Sequence, residues 1–146
     1  MRKMFFVFLI LAVSTQLNAQ NRIHKFATEL KDGIASFYHD KFEGRKTANG
    51  EIFDNDKFTA ASNTLKLGTY VKVTNVSNGE ICYVKINDRM AASNRRIIDL
   101  ASIAAKKLNF HKNGLAQVKV EVVNDEEGKR GILAQTEISS LSNSTL

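Results

Sequence analysis

The sequence has one cysteine, no proline and no tryptophan among its 146 residues. A single cysteine excludes an internal disulfide, so a hydrophobic core must hold the fold, and 43% of the residues are hydrophobic. Because a lone thiol is a liability in an oxidising compartment, we expect Cys82 to be buried. No histidine stands near it in sequence, which argues against a catalytic thiol.

No hydrophobic run is long enough for a comfortable membrane span, which needs about 20 residues. The longest, residues 4–13, follows the charged pair Arg2 and Lys3 and precedes Leu17-Asn18-Ala19. This order is typical of a signal peptide, so we predict one over residues 1–19, with an uncleaved anchor helix as the alternative. No cysteine lies near the cleavage point to carry a lipid. We therefore expect export to the periplasm or the cell exterior without a stable membrane anchor.

Signals for metals, nucleotides and nucleic acids are also missing. His24, His39 and His111 lack the spacing of a metal site, and no phosphate loop or dinucleotide fingerprint occurs, so no cofactor is expected. The formal charge is +6, but no basic run with interleaved aromatics points to nucleic acid. A basic exported protein favours anionic partners such as cell-wall polymers, although an ordinary surface has the same balance. We expect a monomer.

Alternating hydrophobic residues are the main positive signal. In residues 70–75, Val71 and Val73 share one face, and Asn78-Gly79 then predicts a two-residue hairpin turn. In the return run, 81–86, Cys82 falls on the face of the other apolar residues. The sequence therefore predicts a hairpin with the thiol in the core.

A last alternating run covers residues 116–123, and residues 101–108 predict a short helix. Ile103, Ala104 and Leu108 would face the core, and Asp99 stands where it can cap the helix. Short strands with one helix predict a mainly β fold, a small barrel. We place the barrel domain at 33–123, a lead-in at 20–32 and a disordered, polar tail at 124–146.

Several segments, in this order and at these spacings, resemble the rare lipoprotein A family. They are residues 33–38, 44–54, 59–61, 64–69, 71–75, 78–79, 84–89 and 96–100, followed by Gly114, Ala116 and the last strand. The segment around Asn87-Asp88-Arg89 is the best marked. The resemblance covers residues 33–123 and implies a six-stranded double-psi β-barrel.

The resemblance also implies a lytic transglycosylase acting on peptidoglycan. Such an enzyme cleaves the bond between N-acetylmuramic acid and N-acetylglucosamine without water, because the muramic acid's own C6 hydroxyl closes onto C1 to leave a 1,6-anhydro end. One carboxyl group then serves as acid and as base. Asp88 is our candidate for it, unless it is only a turn residue paired with Arg89. Glu51, at a matching family position, would be a neighbouring carboxylate or a solvated loop residue.

The sequence departs from the family pattern at the candidate site. Active members read Thr-Ala-Ala-His with the histidine facing the acid, whereas here Ser62 follows Thr59-Ala60-Ala61. Serine keeps a hydroxyl but cannot move a proton near pH 7, and losing an acid–base group costs a ~10²–10⁴-fold rate factor. Asn63 cannot replace that base. Met90-Ala91 stands where the family has Gly-Pro.

Five further residues are candidates for binding substrate. Arg89 would bind a glycan or lactyl carboxylate, and Asn87 stands beside it. Tyr38 would stack on a sugar ring or pack in the core. Thr47 and Asn49 belong to a turn typical of the family, which is either a contact or loop architecture. Asp54 and Asp99 are expected to be structural hydrogen-bond acceptors.

Three hypotheses follow from these residues. The first is a lytic transglycosylase with Asp88 as acid and base; the second is a module that binds glycan without cutting it, as expansins do, because the histidine is missing. The third is a partner-binding protein that kept only the barrel. Larger family members carry a further domain that binds stripped glycan at the septum, and we expect neither this targeting nor that preference here.

Overall fold

The computed structural model describes residues 30–144. The predicted signal peptide and residues 20–29 of the lead-in lie outside the described residues. The described residues contain six strands: β1 (Leu30–Phe37), β2 (Thr59–Ala61), β3 (Tyr70–Asn75), β4 (Ile81–Asp88), β5 (Ile98–Leu100) and β6 (Ala116–Val123). The same part of the chain contains two α-helices, α1 (Ser102–Lys107) and α2 (Asp125–Asn143), and a short 3-10 helix (Asp40–Phe42). Because β1 begins at Leu30, the end of the predicted lead-in belongs to the barrel.

The six strands close into a barrel in the order β1-β5-β2-β4-β3-β6. Strand β1 runs parallel to β5, and β2 runs parallel to β4, whereas the other neighbours are antiparallel. Parallel neighbours need crossover connections, so the chain passes over the barrel ends between them. The predicted small barrel is confirmed, and the loops that carry the candidate site lie on these connections.

The hairpin of β3 and β4 confirms the alternation read from the sequence. Val71 and Val73 are fully buried and so is Cys82, which pairs with Val73 across the hairpin. Gly79 in the connecting turn has φ 76°, a conformation that strongly favours glycine. Burial raises the pKa of the Cys82 thiol to about 12, so the thiol stays protonated and inert.

Helix α1 forms where the sequence predicted it, but its cap is different. Asp99 lies inside β5, and its carboxylate accepts hydrogen bonds from Ser36 and Arg96 instead of the helix N-terminus. Asn55, distant in sequence, caps the helix: its Oδ1 accepts the Ser102 N–H at 2.9 Å, and its carbonyl accepts the Ile103 N–H. The predicted capping role of Asp99 was wrong because β5 extends to within two residues of the helix.

Residues Asp125–Asn143 form a helix, which contradicts the predicted disordered tail over that part of the chain. Asn124 caps α2 by accepting the Glu127 N–H, and three acidic residues favour its first turn. Gly128 and Gly131 lie directly against Tyr70 and Tyr83, since an added Cβ would come within 2.3 and 2.4 Å of those side chains. Glycine is a poor helix former, but these two glycines permit the helix to dock on the barrel.

Gln135 completes the docking of α2. Its side chain accepts the Tyr83 N–H at 2.6 Å and donates to the Tyr83 carbonyl at 2.9 Å. These two bonds satisfy backbone groups of β4 that its short neighbour β2 does not reach. The helix thereby covers part of a sheet edge that would otherwise be open to pairing. Within residues 30–144, neither helix combines the length and the apolar character needed to cross a membrane.

Candidate active site

A bulge at the end of β4 sets the direction of the Asp88 side chain. Ala60 pairs with Ile86 and Ala61 with Asp88, so Asn87 is one extra residue on β4. Ile86 and Asn87 are both buried, whereas Asp88 is partly exposed. Without the extra residue, the alternation would turn Asp88 inward, so the bulge places its carboxyl group on the outer side at the barrel rim.

Three donors hold the Asp88 carboxyl group. The Tyr38 hydroxyl donates to Oδ2 at 2.6 Å, and the backbone N–H groups of Ala48 and Arg89 each donate to Oδ1 at 2.8 Å. The Tyr38 ring packs on Phe53 with centroids 4.3 Å apart, which limits its movement. Burial, together with the bond to Asp88, raises the pKa of Tyr38, so its hydroxyl stays protonated and acts as a donor.

The tight turn 47–51 reaches over from another part of the chain to the end of β4. The turn closes through bonds from the Thr47 N–H to the Glu51 carbonyl and from the Gly50 N–H to the Thr47 carbonyl. Thr47 is buried and its hydroxyl donates to Asn49, so Thr47 builds the turn rather than facing solvent. The Asn49 N–H then donates to the Asn87 carbonyl at 3.1 Å, which fixes the turn against the bulge.

Glu51, the second carboxyl group of the site, is bound by three side chains. Asn87 donates to Oε2 at 3.0 Å, while Asn49 and Lys85 donate to Oε1 at 2.9 and 3.1 Å. The hydrogen bond from Asn87, followed by those from Lys85 and Asn49, lowers the pKa of Glu51 despite some opposing burial. Glu51 is therefore a carboxylate near neutral pH, which does not suit it to donate a proton.

Among the described residues 30–144, the Ser62 side chain makes no hydrogen bond to the carboxyl group of Asp88. It is fully buried, and its hydroxyl donates to the Ile97 carbonyl at 3.1 Å. Its backbone N–H donates to the Asp88 carbonyl oxygen at 3.2 Å. The catalytic role predicted for Ser62 stays a prediction; the hydroxyl bonds to the chain that leads into β5.

Arg89 is exposed, and its guanidinium bonds to the Ser62 carbonyl rather than to the Asp88 carboxylate. Asn63, which sequence reasoning set aside, shapes the loop after Arg89. It accepts the Met90 N–H at 2.9 Å and donates to the Ala91 carbonyl at 3.2 Å. Asn63 thus stabilises the segment in which Met90-Ala91 replaces the family's Gly-Pro.

The other predicted residues have structural partners. Asn87 is 3% exposed and directs its amide to Glu51, so it positions that carboxylate. Asp54 accepts the Asp56 N–H and pairs with Lys57 at 3.6 Å. His39 accepts the Lys41 N–H, and His111 stacks on Phe37.

Sequence reasoning missed Lys85, the cation that pairs with Glu51. Its signal was its position: Lys85 lies on the outward face of β4, three residues before Asp88. A cavity of about 250 Å³ opens beside this pair, and Glu51, Asn87, Lys57 and Thr59 are among its lining residues. The arrangement presents one carboxyl group held at a rim, one ionised carboxylate and an adjacent cavity, which suits a polar ligand such as a sugar.

Comparisons with known proteins show the family to which the chain belongs. A family model described as lytic transglycolase matches residues 30–120. The endolytic peptidoglycan transglycosylase RlpA of Haemophilus influenzae is 44% identical over 95 residues, which are 65% of this chain and 33% of that protein. The protein of the same name from Pseudomonas aeruginosa PAO1 is 49% identical over 92 residues, or 63% of this chain and 27% of that protein. The chain therefore spans about a third of the length of these relatives.

Solved structures are similar in fold. A Streptomyces papain inhibitor gives a TM-score of 0.54 at 24% identity, covering 66% of this chain and 96% of its own. A Clavibacter michiganensis expansin gives 0.53 at 20% identity, covering 66% and 52%. With the family match, they confirm the double-psi β-barrel predicted from the sequence.

Proposed function

Because the chain belongs to the lytic transglycolase family of RlpA-like double-psi β-barrels, we propose that it is an exported peptidoglycan lytic transglycosylase. It would cleave the glycosidic bond between N-acetylmuramic acid and N-acetylglucosamine and leave 1,6-anhydro-muramic ends. Its place of action would be the cell wall, in the periplasm or outside the cell.

In the proposed reaction Asp88 donates its proton to the glycosidic oxygen as the bond to C1 of muramic acid breaks. The C6 hydroxyl of the same sugar then attacks C1, and the Asp88 carboxylate accepts the hydroxyl proton. The proton balance closes, no water is consumed and Asp88 returns to its starting state. The Tyr38 hydroxyl and the two backbone N–H groups hold Asp88 in one orientation through both transfers.

Glu51 has an electrostatic role in this proposal. Glycoside cleavage passes through a transition state in which the sugar ring gains positive charge. Glu51 keeps its negative charge near neutral pH, since Asn87, Lys85 and Asn49 lower its pKa. A fixed carboxylate beside the ring would stabilise that charge. Glu51 would therefore assist Asp88 without exchanging a proton.

The observation that carries the proposal is the Asp88 carboxyl group, which the bulge of β4 turns outward and three donors fix. The backbone N–H groups of Ala48 and Arg89 donate to one oxygen of Asp88. Here a half-buried tyrosine from β1's end also bonds to the second oxygen. Hydrogen bonds therefore fix both oxygens of the Asp88 carboxyl group.

A second function is favoured by Ser62. No histidine faces the acid from this position, and the serine hydroxyl is bonded to the Ile97 carbonyl. A barrel that keeps the groove but lacks the base would bind glycan strands without cutting them. In this alternative Asp88 and Glu51 are hydrogen-bond acceptors for sugar hydroxyls.

The deciding experiment incubates the purified protein with intact peptidoglycan and with peptidoglycan stripped of its stem peptides. Mass spectrometry then identifies soluble fragments. The proposal expects anhydro-ended fragments from the wild type and none from Asp88→Asn, which preserves size and most hydrogen bonding. If a folded wild type releases no fragments but still sediments with the glycan, the enzyme proposal is wrong. The protein then binds glycan without cleaving it.

A further inference from the structure

Ile52 is an exposed apolar residue at the candidate active site. It directly follows the tight turn 47–51 and pairs with Lys46 across it. The next residue, Phe53, is 3% exposed and packs on the Tyr38 ring, whereas Ile52 is 60% exposed. Because successive side chains of an extended chain point to opposite sides, the burial of Phe53 turns Ile52 outward. Ile52 is therefore an apolar side chain that the core does not use.

The cavity of about 250 Å³ beside Glu51 places Ile52 among polar side chains. Of the described residues that line it, Ile52 alone has a side chain made only of hydrocarbon. Two other lining residues, Asp54 and Lys57, pair with each other at 3.6 Å, and Asn87 donates to Glu51. A ligand in this cavity would therefore contact one hydrocarbon surface, from Ile52, and one carboxylate, from Glu51.

Oε2 of Glu51 can accept one more hydrogen bond. Each oxygen of a carboxylate has about two acceptor sites. Within residues 30–144, Oε1 accepts from Asn49 and Lys85, whereas Oε2 accepts only from Asn87. The Glu51 side chain is 43% exposed, so a ligand can reach it. The hydrogen bond from Asn87 lowers the pKa of Glu51, so the ligand rather than the carboxylate must supply the proton.

An acetamido group matches both features of the cavity. Its N–H can donate to Oε2 of Glu51, and its methyl group can lie on Ile52. In a trans amide the N–H and the methyl group lie on the same side of the C–N bond, so one group can reach both residues. A hydroxyl group can also donate to Glu51, but it brings no methyl group to Ile52. The contact with Ile52 is therefore the one that distinguishes an acetamido group from a hydroxyl group.

We propose that the cavity beside Glu51 binds the acetamido group of an N-acetylated sugar ring, with the acetamido methyl group on Ile52. This inference rests on the proposed function, because the ring must lie in the groove next to Asp88. Asn87 joins the two places, since it directly precedes Asp88 and donates to Glu51 at 3.0 Å. Ile52 is then a specificity-determining residue, which favours glycans with an acetamido group at C2 over glycans with a hydroxyl group there.

Calorimetry with two soluble hexasaccharides tests the inference. Chitohexaose and cellohexaose have the same β-1,4 linkage and no charge, and they differ only at C2, which carries an acetamido group in the first and a hydroxyl group in the second. We expect the wild type to bind chitohexaose more tightly. Ile52→Ser should weaken that binding about threefold to tenfold, because it removes the apolar surface under the methyl group. It should leave binding of cellohexaose nearly unchanged.

Ile138→Ser is the matched control. Ile138 is 64% exposed, close to the 60% of Ile52, and it lies on α2 outside the lining of the cavity. Both residues are too exposed to support the core, so both variants should fold. Equal effects of the two substitutions on chitohexaose binding would overturn the inference. A wild type that binds cellohexaose as tightly as chitohexaose, or that binds neither, would overturn it as well.

Release of anhydro-ended fragments from peptidoglycan is measured in parallel on the wild type. A preference for chitohexaose that Ile52→Ser removes, without any fragments, would refute the proposed cleavage and leave the binding of the acetamido group supported. Fragments from a wild type that shows no such preference would support the enzyme and refute the role of Ile52. The two proposals therefore fail separately.

Discussion

The Tyr38 hydroxyl lies 2.6 Å from Oδ2 of Asp88, and it joins the end of strand β1 to the end of β4. The two lie 50 positions apart in sequence, and the chain between them includes the turn that supplies the Ala48 N–H to the other carboxyl oxygen. The carboxyl group is thus clamped from two sides by groups that come together only in the barrel.

Removing the tyrosine hydroxyl should reduce turnover more than stability. Tyr38→Phe keeps the ring stacked on Phe53 but loses a hydrogen bond to a charged group, an interaction of about 1.5–3 kcal/mol. We expect a drop of about tenfold to a hundredfold in the rate of anhydro-fragment release, since about 1.4 kcal/mol corresponds to a factor of ten.

The control for this variant is Tyr83→Phe. Tyr83 donates to Glu127 at 3.2 Å on the face covered by α2. Its loss should alter the melting temperature slightly and the rate not at all. Equal loss of rate in both variants would indicate a general effect on folding. It would contradict a specific role of the Tyr38 hydroxyl in holding Asp88.

A histidine at position 62 should raise activity. Ser62→His returns a group that can share a proton with Asp88, worth about 10²–10⁴-fold where it is well placed. The serine site is fully buried, so the larger ring must displace its surroundings and should cost about 1–3 kcal/mol of unfolding free energy. Fragment release and thermal melting measure both effects.

Ser62→Asn separates the effect of side-chain size from the effect of proton transfer, because asparagine fills space without titrating. Its activity should stay at or below that of the wild type. A gain with asparagine equal to that with histidine would attribute the effect to packing. No gain with histidine in a folded protein would instead favour the glycan-binding function.

Glu51 should make stability depend on pH in the acid range. Its pKa is lower in the folded protein than in the unfolded chain, chiefly through the hydrogen bond from Asn87. The contribution is therefore present above the unfolded pKa and is lost as the pH falls through the folded pKa. Glu51→Gln should lower the unfolding free energy at pH 7 by less than about 1 kcal/mol, because the carboxylate is partly exposed.

The measurement is denaturant unfolding of the wild type and Glu51→Gln at pH 7 and again in acid. The difference between them should shrink as the pH falls. A gap between the wild type and Glu51→Gln that widens in acid would contradict the sign of the pKa shift.

Cys82 should be inert in the native protein. Its side chain is fully buried and burial raises its pKa to about 12, so the thiolate is scarce at pH 8. A thiol reagent should label the denatured chain at once and the native protein only on unfolding. Rapid labelling without denaturant would show that β4 opens locally.

Gly128→Ala should destabilise the protein although alanine is the better helix former. Propensity alone favours alanine by about 1 kcal/mol. A Cβ at position 128 would, however, come within 2.3 Å of the Tyr70 side chain, so α2 must move away from the barrel. We expect a net loss of about 1–3 kcal/mol in unfolding free energy and faster hydrogen exchange in α2.

Ser140→Ala provides the comparison, because Ser140 is exposed on the same helix. This change should stabilise α2 slightly. If Gly128→Ala is also stabilising, the helix does not pack on Tyr70 as described.

Local patterns in the sequence determined most of the barrel. The alternation around Val71 and around Val84, with Asn78-Gly79 between them, was sufficient to predict the β3–β4 hairpin, because period-two burial and turn chemistry act over a few residues. The family-like segments located Asp88 and Glu51 in the same way. The burial of Cys82 followed from its position in β4, because alternate residues of a strand face the core.

Only the tertiary structure decided the direction and partners of these side chains. The bulge at Asn87 depends on pairing with β2, the cap of α1 comes from Asn55, and Ser62 turns toward Ile97 instead of Asp88. The segment that forms helix α2 was predicted to be a polar tail. This prediction was wrong because the residues that stabilise the helix lie on β3 and β4, outside that segment. Contacts between residues distant in sequence produce no periodic pattern along the chain. They therefore could not be predicted from the sequence.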